Sequence, residues 1–252
     1  MAFEARVPEE LTIDNHYIGR PADFGDKIIQ RRINVVKNIP NFIGKNLELV
    51  DIGCGNGASM LLLADSMKSC LGLELFEENK RDFEAQRKIQ NVENCSLELI
   101  NIEQEVFKTQ FDRLISFEVI EHLQDEKNVK AYYNLLKKGG IAAISVPNKW
   151  WIFETHGANL PLLPWNRVPF FSWLPRPIHE KFAKARIYTK QRIKNLLEEA
   201  GFVVVSMEYI TAPMDVLKEG WLKKNLTSII FKDDTTTSPF LSTSILVVAE
   251  KR

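Results

Sequence analysis

The stretch "LELVDIGCGNGASMLLLADSM" (residues 47–67) constrains the fold more than any other part of the chain. An apolar run ends in three glycines within five residues, and a helical pattern starts directly behind them. This is a strand, a tight loop and a helix in series, the unit from which parallel sheets covered by helices are built. Gly53, Gly55 and Gly57 strip side chains from the place where a ligand would approach the backbone, and the following helix start offers free N–H groups to an anion. Packing in a tight turn is the alternative explanation for those glycines. Gly53, Gly55 and Ala58 also satisfy the loose dinucleotide fingerprint, so the loop alone does not choose between nucleotide-like cofactors.

The rest of the chain continues the alternation. Residues 26–38 read as a helix capped by Asp26, "CLGLEL" as a second strand ending at Glu74, and "EENKRDFEAQRKIQ" as a charged helix. "CSLELIN" and "FDRLISF" are the third and fourth strands, "KNVKAYYNLLKKGG" a helix stopped by Gly139 and Gly140, and "IAAISVP" the fifth strand. Thr189 caps a helix over "KQRIKNLLEEAG", "FVVVSMEYI" is a sixth strand, a helical stretch begins near Pro213, and "STSILVVAE" closes the chain as a last strand. Glu74, at the end of the second strand, suits the two hydroxyls of an adenosine ribose, or is a plain solvent-facing glutamate. No repeat or linker divides the 252 residues. The reading is one domain: an N-terminal helical segment (1–45), a cofactor-binding core (46–148), an acceptor-side insertion (149–186) and C-terminal helices and strands (187–252).

Taken together, "LVDIGCGNG", "GLEL", "NIEQ", "FDRLISFEVIEHL", "LLKKGGIAAISVPN" and "LLEEAGF" resemble, in order, the class I S-adenosylmethionine-dependent methyltransferases. The resemblance implies a Rossmann-like α/β fold: a seven-stranded sheet in the order 3-2-1-4-5-7-6 with its last strand antiparallel. It also implies roles. Asp51, Gly53, Gly55 and Gly57 would border the methionine end of the cofactor, Glu74 would hold its ribose, Ile102 and Glu103 would flank adenine, and Phe117 would line the pocket.

Within that class, "EVIEH" is similar to the ubiquinone-biosynthesis O-methyltransferases and to the small-RNA 3′-terminal 2′-O-methyltransferases. There E-x-x-E-H and a later histidine supply a divalent-metal site. The matching residues are Glu118, Glu121 and His122, on one face if that turn is helical. Of the four histidines, His179 matches the later position, with His156 its rival and His16 further off. The metal would be Mg²⁺ by resemblance, or Mn²⁺ or Zn²⁺ by the donor set. His122, with Glu121, is alternatively a metal-free general base, and a third reading gives the cluster only a helix-start role.

Trp150 to Pro177 breaks the rhythm, with four of the five tryptophans and five of the eleven prolines. A proline-broken, aromatic-rich segment on the methyl side of such a fold points to an acceptor lid. Trp150, Trp151, Phe153, Trp165, Phe170, Phe171 and Trp173 would wall an apolar pocket or meet a membrane surface, with Arg167, Arg176, Lys181, Lys184 and Arg186 toward anionic head groups. Burial against the sheet is the plainer alternative. The expected acceptor is a lipid- or quinol-like hydroxylated small molecule. A glycan, an RNA ribose, or a non-catalytic cofactor-binding role are the competing readings. Thirty-three basic against thirty-three acidic residues, with no aromatic-plus-basic platform, weigh against nucleic acid. Three scattered cysteines and no apolar run of spanning length point to a cytoplasmic protein, with at most peripheral membrane contact.

Overall fold

A computed structural model describes residues 12–13, 16–17, 24–158, 168–214, 217–218 and 220–252. Seven strands make the body of one sheet: β1 (Gly44–Ile52), β2 (Met67–Glu74), β3 (Cys95–Leu99), β4 (Phe111–Phe117), β5 (Leu136–Pro147), β6 (Val203–Thr211) and β7 (Ser242–Glu250). Their order across the sheet is 3-2-1-4-5-7-6, and a two-residue strand, Thr235–Thr236, extends the β6 edge antiparallel. Strands β1 to β5 pair in parallel, whereas β7 runs antiparallel to both β5 and β6. The sheet is the expected one with an eighth, minimal edge strand added.

Both faces are covered, so the central strands are apolar on both sides. Along β7, Ile245, Val247 and Ala249 enter one core while Leu246 and Val248 enter the other. The first core packs under α4 (Lys130–Leu135) and α6 (Lys190–Glu199), through Tyr132, Ile193 and Leu197. The second packs under α1 (Lys27–Lys37), α2 (Ala58–Leu63) and α3 (Glu77–Ile89), through Ile33, Met60 and Phe83. Each such side chain, once fully buried, contributes about 1.5–3 kcal/mol. Two shorter helices complete the chain, α5 (Arg176–Phe182) and α7 (Trp221–Ile229).

Several local expectations hold. Asp26 and Thr189 take the cap positions of α1 and α6, and the Thr189 hydroxyl accepts from the Arg192 N–H at 3.2 Å. Others shift. The helix expected over residues 127–140 ends at Leu135, and β5 starts at Leu136, running through both glycines. Pairing of Leu136 with Phe111, and the Lys137 ammonium between Asp112 and Glu48, pull that segment into the sheet. The helix expected near Pro213 starts only at Trp221.

Candidate functional site

The glycine loop and the "EVIEH" turn lie at the carboxyl ends of β1 and β4, which are neighbours in the sheet. They touch: a Cβ added at Gly53 would fall 2.5 Å from Val119 Cγ2. Gly53 also has φ of +66°, so both space and backbone exclude a side chain. Gly57, at φ +77°, would meet the Phe83 ring of α3 at 2.5 Å. The glycines therefore serve packing as well as an open loop, which joins two readings that the sequence kept apart.

Glu74 is only 6% exposed. Its Oε2 accepts the Gly55 N–H at 2.8 Å, and its Oε1 accepts those of Leu75 and Phe76 at 2.8 and 3.2 Å. Three backbone donors aim the carboxylate across the glycine loop and leave acceptor capacity on Oε2. Asp51 is 2% exposed, and its Oδ2 has no hydrogen-bond partner among the described residues. Burial, with the neighbouring Glu74 charge added, pushes the Asp51 carboxyl well above the usual carboxylate range. A buried acceptor without a donor costs about 1–3 kcal/mol unless a ligand or water satisfies it. A cationic ammonium would satisfy Asp51, and ribose hydroxyls would satisfy Glu74. These residues fit an S-adenosyl cofactor.

Ile102 packs against the core at the end of β3, and Phe117 lies half-buried with the Arg32 guanidinium 5.8 Å from its ring centre. The Glu103 carboxylate is engaged elsewhere than expected. It accepts the Gln124 N–H at 3.0 Å and the Asn128 amide at 2.7 Å, fastening the loop behind the "EVIEH" turn.

The turn itself departs from a helical face. Glu118 has φ of +59°, a left-handed conformation unusual for a side-chain-bearing residue, and only Ile120–His122 form a short 3₁₀ turn. Glu118 is not in the donor group that Glu121 and His122 form. Its Oε1 meets Arg32 at 2.9 Å and accepts the Ser145 hydroxyl at 2.9 Å. Glu118, expected as a metal ligand, is instead the anionic partner of a buried arginine.

Glu121, by contrast, is 1% exposed, and neither of its oxygens has a hydrogen-bond partner among the described residues. Burial, and then the Glu118 charge, push its carboxyl well above the usual range, while Arg32 and Arg186 pull the other way. Its Oε1 lies 3.5 Å from His156 Nε2. The His156 and His122 rings meet edge to face at 4.9 Å, and His156 Nδ1 pairs with the Thr155 hydroxyl at 3.0 Å. One carboxylate oxygen of Glu121 and one ring nitrogen from each of His122 and His156 lie within 4.8 Å of one another, a donor set able to hold a divalent ion. A buried carboxylate that receives no hydrogen bond among the described residues, beside two imidazoles, fits a cation.

His179, expected as the later ligand, is not in this group. It is fully buried against Glu154, with Nε2 2.7 Å from Glu154 Oε2. The side chain of His16 lies outside the described residues, as do Trp165 and Arg167. Arg186, expected toward anionic head groups, instead donates to the carbonyls of Glu121, Leu123 and Gln124, fixing the turn from behind. One contributor went unread in the sequence. Arg32 reaches Glu118 from α1; the adjacent arginines on an otherwise apolar stripe (Ile29, Ile33, Val36) were the available signal.

The lid aromatics divide. Trp151 and Phe171 are buried, whereas Trp150, Phe170, Trp173 and Phe240 form an exposed chain of ring contacts at 4.9–6.4 Å. Among the described residues, no helix is long and apolar enough to cross a membrane.

Residues 26–207 match the profile of a family described as a methyltransferase domain. A ubiquinone biosynthesis O-methyltransferase of Pelagibacter ubique is 32% identical over 56% of this chain and 57% of that protein. Another, from Bartonella tribocorum, is 28% identical over 70% of this chain and 67% of that one. The chain thus spans between about half and two thirds of the first curated relatives it matches. A crystal structure of an S-adenosylmethionine-dependent methyltransferase from Mesorhizobium loti superposes with a TM-score of 0.61, covering 90% of this chain and all of that one. At 16% identity it speaks for the fold alone.

Proposed function

The chain belongs to the methyltransferase domain family as an S-adenosylmethionine-dependent methyltransferase, and from that premise we propose that it methylates a hydroxyl of an apolar, quinol- or lipid-like small molecule. The observation that carries this reading is Glu121, buried with no hydrogen-bond donor to either oxygen among the described residues and grouped with His122 and His156 beside the glycine loop. The names of the two relatives support the acceptor class.

Bound in the crevice, S-adenosylmethionine would supply a methyl group on a positively charged sulfur. Asp51 takes the ammonium end, Glu74 the ribose, and Ile102 and Phe117 the apolar walls. His122 accepts the proton of the acceptor hydroxyl as that oxygen bonds to the methyl carbon. The cofactor would supply the methyl carbon, with the carbon–sulfur electron pair left on sulfur. Glu121 offsets the charge that develops on the imidazole, and His156 orients the acceptor oxygen. Such proton transfer contributes typically about 10²–10⁴-fold, and alignment of acceptor and methyl adds to it. In place of that proton-accepting role for His122, Glu121, His122 and His156 would hold a divalent ion, which would lower the pKa of the acceptor hydroxyl. One carboxylate with two imidazoles suits Zn²⁺ or Mn²⁺ before Mg²⁺.

The exposed rings of Trp150, Phe170, Trp173 and Phe240, with the Lys149 ammonium 5.8 Å from the Trp150 ring centre, make the lid a candidate contact for a membrane that carries such an acceptor. Flotation with anionic vesicles tests this part, and protein left at the bottom of the gradient removes it.

The acceptor is tested with radiolabelled S-adenosylmethionine against 4-alkylcatechols, glycolipids and short RNA, each with and without a chelator. Label on the catechol oxygen is the expected result. Transfer to RNA or glycolipid alone overturns the acceptor class, and full turnover in chelator overturns the metal.

A further inference from the structure

Glu154 and His179 are both fully buried, and nothing in the proposed chemistry uses them. One Glu154 oxygen, Oε2, meets His179 Nε2 at 2.7 Å and accepts the Ser172 hydroxyl at 3.5 Å. The other, Oε1, accepts the backbone N–H of His156 at 3.3 Å. A single carboxylate thereby joins three pieces of the segment after β5: the His156 loop, the short turn Phe171–Trp173, and α5. The Phe171 ring lies tilted on the His179 imidazole at 5.0 Å. Backbone bridges fix the segment further out, Phe153 to Pro169 and Ala158 to Ala183. Between those bridges, Glu154 holds the main chain of His156.

A buried acid–imidazole pair is a costly way to stabilise a fold, because well-packed apolar side chains usually do as well. Its placement suggests a positional task. With the His156 main chain held by Glu154 and Nδ1 paired with Thr155 at 3.0 Å, the ring is left with Nε2 toward Glu121. Groups that orient a reactive or metal-binding imidazole in this way are as consequential as the imidazole itself.

We infer that Glu154 and His179 are a positioning pair that fixes His156 relative to Glu121 and His122. The inference rests on the proposed role of that trio, and the test separates the two. The chain has four histidines, so protein labelled with ¹⁵N-histidine gives a readable set of ring signals. Each is assigned by single substitution. In Glu154→Ala and His179→Phe the His156 ring signals should shift and broaden. In Glu154→Gln and His179→Gln, which keep hydrogen-bonding groups in place, they should return toward wild type. Zn²⁺ affinity should fall about 10–100-fold in the first two variants and recover partly in the second two. Binding of S-adenosylhomocysteine, which relies on the other half of the molecule, reports that each variant is folded. If the truncated variants do not fold, the two glutamine variants carry the test, with His156 signals displaced less but measurably. His156 signals that stay at their wild-type positions in every folded variant, with only the melting temperature lowered, overturn the inference. Wild-type protein that binds no Zn²⁺ removes the metal from the proposed function, and the ring signals still decide whether the pair positions His156.

Discussion

The proposed donor half and the proposed acceptor half of this molecule are built in different ways. The donor half is local: Asp51, the glycines and Glu74 fall within 24 residues, and backbone N–H groups of the same stretch aim the Glu74 carboxylate. The acceptor half is assembled from distant pieces, with Arg32 from α1, Glu118 to His122 after β4, His156 after β5 and Arg186 before α6. Its polar groups are held by side chains, in pairs such as Arg32–Glu118 and Glu154–His179. A site of the first kind is disturbed by what happens to the backbone. A site of the second kind is disturbed by the loss of single partners.

That contrast can be broken by substitution. The largest effect is expected from Glu121→Gln, which should cut methyl transfer about 10²–10⁴-fold with cofactor affinity unchanged; a parallel fall in affinity would erase the division between the halves. Gly57→Val brings a Cβ against Phe83 in a left-handed backbone, where strain and overpacking cost about 1–3 kcal/mol each. It should abolish cofactor binding measured calorimetrically and leave the sheet's circular dichroism intact. Glu74→Ala removes charge-assisted bonds to ligand and loop, worth about 1.5–3 kcal/mol each. Cofactor affinity should drop about 10–100-fold.

The smallest effect concerns pH. The Asp51 carboxyl is raised by burial and by Glu74, so the folded state keeps its proton to a higher pH than the unfolded chain does. The stability it contributes is whole below the ordinary carboxylate pKa and is lost as pH rises toward the folded value. Asp51→Asn should therefore melt at the wild-type temperature at acid pH and a few degrees above it at pH 8. An advantage largest at acid pH would contradict the assigned shift.

The same contrast explains what the sequence disclosed. Strands, loop and Glu74 were legible because periodicity and glycine spacing are local signals, and they mark the proposed cofactor crevice. Residues 136–140 misled because "NLLKKGG" continues a helical pattern, while the strand there depends on Phe111, Asp112 and Glu48, far away in the chain. Glu118 could not be placed, since no local rule sets a glutamate at φ +59°. Along the chain His179 was the favoured later ligand and His156 its rival. Only the fold-back of the insertion sends His156 to Glu121 and His179 to Glu154.

The division itself is tested most directly by titrating S-adenosylhomocysteine into wild type, His156→Ala and Gly57→Val. The predicted result is equal affinity for wild type and His156→Ala, no methyl transfer by His156→Ala, and no binding to Gly57→Val. Undiminished methyl transfer by His156→Ala, or equal binding to all three proteins, would contradict it.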